Sequence, residues 1–419
     1  MVWAKKVKAG ALQLVLFVSV VVAVLLLCFV LLAHTHNLFR KKTNLMVEVI
    51  QAADSGLEHS FEMEFDAGEP LDIPVANEVG ISVEVQRKYW GLLELRTAIA
   101  TKGKLKFEKS ALVGNSILKR NALFLQDKQR PMVIAGNAQI RGDAYLPERG
   151  IKPGNIKGHG YYGPQLVYGN QKQSKAQLPE LSRDLQGQLK QLSTIISAPF
   201  GEEVALGKEM VLKNSFRNPL KIIKGGEIRL QNIHLAGHVM VWATQNIVVD
   251  ATAILKDVVL MAPKIEIRKG FQGSLQAFAT KAIEIGEGCY LAYPSVLLVD
   301  ERHVGSEQRN PAISIAAQTD FRGFMIYQNG ESDEHRSRAH IKIAKNAQVM
   351  GEVYCQENLE LKGSVKGTVT TGAFIALENG SSYQNHLFNG IINSTQLPPE
   401  YAGLTYEGQK ANQVMKWLY

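Results

Sequence analysis

The sequence feature that most constrains the fold is a repeat of about 18 residues, which begins at Ile228 and indicates a stack of similar units, here called rungs. Each repeat opens with an apolar–x–apolar triplet. This pattern predicts a short strand with one buried face, because side chains alternate across a strand. The first residues of the seven rungs are Ile228, Ile247, Ile265, Ile283, Ile313, Ile341 and Leu359.

These repeats predict a mainly β fold in which residues 226–378 form a parallel β-helix, or solenoid, of about seven 18-residue rungs. The seven opening residues should then stack as one buried ladder. The two longer steps, from Ile283 to Ile313 and from there to Ile341, contain the polar stretches ERHVGSEQRNP and GESDEHRSRAH, which we interpret as lateral loops. Five rungs carry a glycine before their second strand, as a tight corner requires. These glycines are Gly237, Gly273, Gly323, Gly351 and Gly367.

An uncharged apolar run occupies positions 11–33. As a helix it would be about 34 Å long, enough to cross the hydrocarbon core of a bilayer of about 30 Å. We therefore predict a transmembrane helix over residues 11–33, with the lipid bilayer as its partner. Apolar residues recur at helical spacing from Met46 to Phe61, so residues 34–61 are predicted to continue as an amphipathic helical stalk.

The N-terminal sequence MVWAKKVKAG, directly before the apolar run, resembles a type IV prepilin leader. The resemblance implies peptidase cleavage between Gly10 and Ala11, with residues 1–10 as the basic leader. The stretch QAADSGLEHSF resembles the A-A-E-x-G-L/I-E segment of minor pilins and pseudopilins. The chain departs from the major-pilin pattern, because Val15 stands where those proteins have Glu and Ala11 where they have Phe or Met. An ordinary signal anchor is the alternative interpretation.

The remaining segments are predicted from their composition. Residues 62–130 alternate as strands and indicate a small β subdomain. Residues 131–170 are rich in glycine and look like part of a solenoid, whereas residues 171–225 are interpreted as a linker with a helix near residues 181–192. Residues 379–419, which contain the breaker Leu397-Pro398-Pro399, are interpreted as a cap or tail that covers the end of the solenoid.

Charge and cysteine usage limit the possible partners. Residues 1–42 supply +6 of the net charge of +8, so the rest of the chain is nearly neutral, with 41 basic and 39 acidic side chains. A nucleic-acid partner is therefore not expected. The chain has three cysteines, too few for a disulfide framework. Cys289 and Cys355 could pair only if the fold brought them together.

The sequence gives little indication of an enzyme. Hydrolysis or lyase chemistry on a β-helix needs acids clustered on one face, whereas Asp250, Asp257, Glu266 and Glu284 are expected to form no column. The loop groups Asp300, Glu301 and His303, with Asp333, Glu334 and His335, could converge but more simply indicate charged loops. We predict no catalytic residues, no metal site and no cofactor, and nothing in the sequence supports polysaccharide contact.

The expected function is a non-enzymatic structural or assembly component of a bacterial envelope apparatus, similar to a minor pilin or pseudopilin, with protein partners in that assembly. It would span the bacterial inner membrane once, with its body in the periplasm. Lys5, Lys6 and Lys8 nearly balance Arg40, Lys41 and Lys42 across the span, so charge alone leaves the orientation open. The texture of LELKGSVKGTV also resembles bactofilins, which implies a membrane-bound cytoskeletal scaffold as an alternative. A carbohydrate-active β-helix is the third alternative.

Overall fold

A computed structural model describes residues 9–63, 65–74, 80–116, 120–197, 200–302, 311–329, 338–409 and 411–418. The chain divides into two compact units. The first contains Met1–Ser60, Pro70–Gln86 and Thr97–Lys109. The second contains Phe61–Glu69, Arg87–Arg96 and Ser110–Tyr419.

The first unit combines a long helix with an antiparallel sheet. Helix α1 (Ala9–His59) is one continuous element of 51 residues, so the predicted span and stalk are a single helix. The strands follow in the order β1 (Leu71–Ile73), β2 (Ser82–Trp90), β3 (Leu93–Lys102) and β4 (Leu105–Asn115). Strands β2, β3 and β4 each have residues in both units. Alternate residues of β2 and β3 are buried, as a sheet with one covered face requires.

The second unit contains a long series of mostly parallel strands. Those before its helix are β5 (Leu123–Leu125), β6 (Met132–Ala135), β7 (Gln139–Arg141), β8 (Ala144–Leu146), β9 (Ile151–Pro153), β10 (Asn155–Ile156), β11 (His159–Gly160) and β12 (Gln171–Gln173). Helix α2 (Arg183–Ser197) follows. The strands after it are β13 (Glu202–Glu203), β14 (Val211–Asn214), β15 (Lys221–Leu230), β16 (His234–Gly237), β17 (Val239–Val249), β18 (Ile254–Ile267), β19 (Gln272–Ile285), β20 (Tyr290–Asp300), β21 (Ile313–Ile315), β22 (Asp320–Gln328), β23 (Ile341–Ile343), β24 (Gln348–Leu361), β25 (Ser364–Glu378), β26 (Ser381–Gln384), β27 (His386–Phe388), β28 (Ile391–Asn393) and β29 (Asn412–Leu418).

Most of these strands belong to one closed sheet, which contains β5, β7, β8, β12 to β26 and β28. The predicted mainly β fold with a long apolar N-terminal helix is therefore correct. The seven opening residues of the rungs are paired in the predicted order, each with its equivalent in the next rung, from Ile228–Ile247 to Ile341–Leu359. All seven side chains are buried, so the predicted ladder is confirmed; we call it the first ladder.

Two further buried ladders run through the same sheet. The second ladder consists of Ile223, Val241, Leu260, Ala277, Leu297, Met325, Val353, Val369, Leu123 and Ala144. The third consists of Leu212, Leu235, Leu255, Gly273, Leu291, Phe321, Val349, Val365, Ile392 and Ile140. The three ladders line the apolar interior of the closed sheet, which we call the stack.

The ladders also show where the glycine-rich segment lies. Strand β5 pairs with β25 through Leu123 and Val369, and β7 pairs with β28 through Ile140 and Ile392. Strand β8 then pairs with β5, and β12 pairs with β8. Residues 120–173 therefore belong to the same closed sheet and extend it beyond β25 and β28.

Four of the five predicted corner glycines have the expected backbone. Gly237, Gly323, Gly351 and Gly367 have φ angles of 83°, 141°, 143° and 153°, a region that disfavours other residues. Gly323, Gly351 and Gly367 are paired in one column, and each lies against the carbonyl oxygen of the preceding rung. The expectation is wrong for Gly273, which has no such φ. It occupies a position of the third ladder, where the Phe271 ring fills the adjacent space.

Helix α2 and the C-terminal tail cover an outer side of the stack. Leu185, Leu189 and Leu192 of α2 share one buried cluster with outward-facing residues such as Phe278 and Phe324. The helix begins and ends a few residues later than its pattern predicts. Strand β29 pairs antiparallel with residues 110–115 of β4, so the C-terminal residues are tucked in. Tyr401 and Leu404 belong to the same buried cluster.

Because the first ladder is buried, a charged side chain should lower the stability of the fold more there than at an exposed position. Ile265→Asp places a carboxylate on a fully buried site between Ile247 and Ile283, and should lower the free energy of unfolding by several kcal/mol, about 4 or more. Gln272→Asp, on an exposed residue of the neighbouring strand, should cost no more than about 0.5 kcal/mol. Chemical denaturation of the two variants measures the difference. Equal losses would mean that the ladder does not carry the stability of the sheet.

Candidate functional site

The first half of α1 has the properties of a membrane span. Its side chains are exposed throughout residues 11–39, and the large apolar ones include Leu12, Phe17, Phe29 and Leu32. Among the described residues, α1 is the one helix long and apolar enough to cross a membrane. Exposing such a surface to water is unfavourable, because moving one CH₂ group out of water stabilises a structure by about 0.8 kcal/mol. The candidate cleavage residues Gly10 and Ala11 lie in the first turn of α1, and residues 1–8 lie outside the described chain.

The last turns of α1 pack on the sheet of the first unit. Ala52, Ala53 and Leu57 are fully buried, whereas Glu58 is exposed, so this segment of α1 presents its small and apolar residues to the sheet. Gly56 lies so close to Val83 on β2 that a Cβ atom there would overlap the Val83 side chain. The absence of a side chain at Gly56 therefore sets the distance between helix and sheet.

Two ion pairs fix the same helix segment to neighbouring strands within the first unit. Glu48 accepts a hydrogen bond from the Lys102 ammonium of β3 at 2.9 Å, and Asp54 pairs with Lys109 of β4. All four side chains are partly exposed, so each pair adds only about 0–1 kcal/mol. The two ion pairs therefore act mainly by fixing the position of α1 along strands β3 and β4.

The acids considered for catalysis are occupied by neighbouring groups. Asp257 pairs with Lys416 at 2.5 Å and accepts a hydrogen bond from the Ser274 hydroxyl at 2.9 Å. The backbone amide of Thr252 donates to Asp250, and this hydrogen bond lowers the pKa of that carboxyl. The expectation that these acids form no column is wrong for Glu266 and Glu284, which are direct partners on adjacent rungs. Both rungs open with Ile-Glu-Ile, so the equal spacing was visible in the sequence.

The Glu266–Glu284 column does not form an isolated acid pair. Glu284 forms an ion pair with Lys264 at 2.8 Å, and Glu266 lies 3.7 Å from Arg268. The same column continues through Ser314 and Lys342 to Glu360, so acidic and basic side chains both occur along it. These charge pairs occupy the carboxylates that two-acid hydrolysis would require.

Of the candidate loop acids, the structure describes Asp300 and Glu301, and both are buried. Asp300 accepts hydrogen bonds from the Arg302 guanidinium at 2.5 and 2.8 Å. Glu301 accepts from Arg338 at 2.8 Å and from the Tyr327 hydroxyl at 2.8 Å. Burial, and then the charge of Glu301, raise the pKa of Tyr327. Their candidate partners His303, Asp333, Glu334 and His335 lie outside the described residues.

A second buried charge pair was missed by sequence reasoning. Arg120 donates to Glu352 at 2.6 Å, and both side chains are almost completely buried. The Arg120 guanidinium also lies over the Tyr401 ring, 5.1 Å from its centroid. Burial raises the pKa of Glu352, although Arg120 acts in the opposite direction. The pair joins the segment before β5 to β24, and Arg120 also donates to the backbone carbonyl of Tyr401 in the C-terminal tail at 3.2 Å. No local pattern could reveal partners 232 positions apart.

The cysteines are unpaired thiols. Cys289 and Cys355 are both buried and free, so no disulfide joins them. Burial raises the pKa of Cys355 to about 12, which keeps it protonated and unreactive at neutral pH. Among the described residues, no group of three or more His, Cys, Asp or Glu side chains could hold a metal ion.

The chain matches no protein-family model, no curated protein and no solved structure.

Gly56 gives a test of the packing of α1 on its sheet. Gly56→Val in the full chain should cost about 1–3 kcal/mol, because the new side chain must displace Val83 or move the helix. Glu58→Val is the matched control, since it introduces the same residue at an exposed position of the same helix. Hydrogen exchange of residues 46–59 measures both effects. Equal protection in the two variants would contradict the close approach at Gly56.

Proposed function

We propose that this protein is a non-enzymatic structural or assembly component of a bacterial envelope apparatus, similar to a minor pilin or pseudopilin. The observation that carries the proposal is the organisation of α1. One helix is apolar over residues 11–33, exposed over residues 11–39, and then buries Ala52, Ala53 and Leu57 on an antiparallel sheet. A helix of this kind would hold a folded sheet directly at the surface of a bilayer.

The second part of the proposal concerns the body, which we interpret as a parallel β-helix built from rungs of about 18 residues. The three buried ladders and the column of corner glycines support this interpretation. The repeat alone indicates seven residues in each ladder, whereas the second and third ladders each contain ten. One extra residue lies at the start of each ladder, Ile223 or Leu212, and two come from strands beyond β25. A stack of this kind is a rigid rod, which suits a structural role.

A non-enzymatic role is supported by the state of the candidate acids that the structure describes. Asp257, Glu284, Asp300 and Glu301 are each engaged by a basic side chain. The proposed partners are therefore the bilayer, through residues 11–33, and other proteins of the same assembly. The proposed location is the inner membrane, crossed once, with the body on the periplasmic side.

A bactofilin-like scaffold on the cytoplasmic face is the second candidate. The observation that favours it is the regular parallel stacking of apolar rungs, from Ile228 to Leu359. The two candidates share the fold of the body and differ in the fate of the N-terminus and in the side of the membrane that the body occupies.

Leader processing separates the two candidates. In a strain with verified prepilin peptidase activity, mass spectrometry should find the mature N-terminus at Ala11, and Gly10→Val should block cleavage. Gly187→Ala is the control, because this helical glycine has open space around it. In the same strain, a tag after Tyr419 should react with a reagent that cannot cross the inner membrane.

Two results would contradict the pilin-like proposal. The first is an intact N-terminus in the presence of active peptidase. The second is a tag that reacts only after the inner membrane is opened, which would place the body in the cytoplasm and support the scaffold instead.

A further inference from the structure

One side of the stack carries an unusual concentration of basic residues. It is built by β5, β8 and β12, which pair in register so that Phe124, Tyr145 and Lys172 follow one another on the outer surface. Residues 120–176 contain nine Lys or Arg and three Asp or Glu, although the body as a whole is nearly neutral. We define the basic face as the exposed cations at the two corners and on the last strand of this side: Lys128, Arg141, Arg149, Lys172 and Lys175.

Within the described part of the chain, these cations have no close acidic partner. Arg141, Lys172 and Lys175 form no ion pair with any residue in the described ranges, and Lys128 reaches Glu357 only at 3.8 Å. On other rungs many cations are neutralised by the next rung, as in Lys264–Glu284 and Lys269–Glu287, both at 2.8 Å. Uncompensated like charges repel each other, so this face favours the binding of an anion.

The acids near the basic face are engaged by the backbone or directed elsewhere. Asp127 accepts hydrogen bonds from the backbone amides of Gln129 and Glu148, and so stabilises a corner. Asp143 accepts from the backbone and side-chain nitrogens of Asn170, each at 3.1 Å. Glu148 is the one exposed acid among them. These acids keep their negative charge, but with nine cations and three acids residues 120–176 still carry a net charge of +6.

The aromatic rings of this side are already covered. Tyr145 stacks on Phe124 with ring centroids 5.6 Å apart, and the Lys172 ammonium lies 5.4 Å from the Tyr145 centroid. The Arg141 guanidinium lies 5.1 Å from the centroid of Tyr168. Single-stranded nucleic acids bind by stacking bases on open ring faces, and these ring contacts occupy faces that a base would need. The rings instead hold the two cations in place and leave their hydroxyl groups for hydrogen bonds.

Neutral hydrogen-bonding groups lie beside the cations. The last strand reads Gln171-Lys172-Gln173, and all three residues and the preceding Asn170 are exposed. A sugar acid presents both a carboxylate and several hydroxyl groups, which match a cation flanked by amides and tyrosine hydroxyls. We propose that the basic face binds an acidic, carboxylate-bearing polysaccharide. The inference does not depend on the fate of the N-terminus or on membrane orientation.

The test uses the full chain in nanodiscs of uncharged lipid and measures binding of alginate, a linear carboxylated polysaccharide. Dextran serves as the neutral polysaccharide, and a double-stranded DNA oligonucleotide as a polyanion without sugar acids. We expect saturable alginate binding that weakens as salt is raised, no binding of dextran, and weaker binding of DNA at equal charge concentration. The triple variant Arg141→Gln, Lys172→Gln, Lys175→Gln should raise the dissociation constant for alginate at least about tenfold.

The matched control is Lys264→Gln, Lys269→Gln, Lys342→Gln, which removes the same number of charges from lysines on other rungs whose side chains are at least partly exposed. It should change alginate affinity by less than about threefold, since surface charges far from the contact are screened by salt. Thermal melts of both variants should match the parent chain. Absence of saturable alginate binding, equal binding of dextran, DNA binding as tight as alginate, or equal losses in the two triple variants would each overturn the proposal.

Discussion

The body depends on stacking apolar side chains of one rung on those of the next. A single rung such as residues 247–264 has too little area to bury its own interior side chains, so its stability comes from both neighbours. Burying each isoleucine of the first ladder is worth about 1.5–3 kcal/mol, and the gain is realised only when the adjacent rung is present. Another part of the chain must therefore cover each rung, including those at the ends of the repeat.

This constraint explains the path of the chain. The segment after β4 supplies β5, β7 and β8, which cover the rung formed by β25 and β28. Helix α2 follows, and the chain then winds from β13 back to β25. The repeat alone would place the rung near Leu359 at the end of the stack. Because the strands after β4 cover it, this rung lies inside the stack. The Arg120–Glu352 pair and strand β29 add further connections at the same region.

The parts of the fold that could be predicted are those encoded locally. The spacing of the isoleucines revealed the first ladder, because strand alternation and a short, fixed period both act over short distances along the chain. The pairing of Leu123 with Val369 joins distant parts of the sequence. It uses a strand of only three residues, which is too short to show a repeat in the sequence. The basic face could not be predicted from the net charge of the body. That charge is a sum over many residues and does not show where cations lack acidic partners. Buried pairs such as Glu301–Arg338 depend on the same long-range placement.

The measurement that tests this account most directly is native-state hydrogen exchange of the full chain at increasing denaturant. The account predicts that the amides of residues 122–126 open together with those of residues 369–371, in the same cooperative step, because the backbone amide of Val369 donates to Ala122 and that of Gln126 donates to Thr371. Rapid exchange of residues 122–146 while residues 228–361 stay protected would contradict it, since the glycine-rich segment would then be a separate module and not part of one continuous stack.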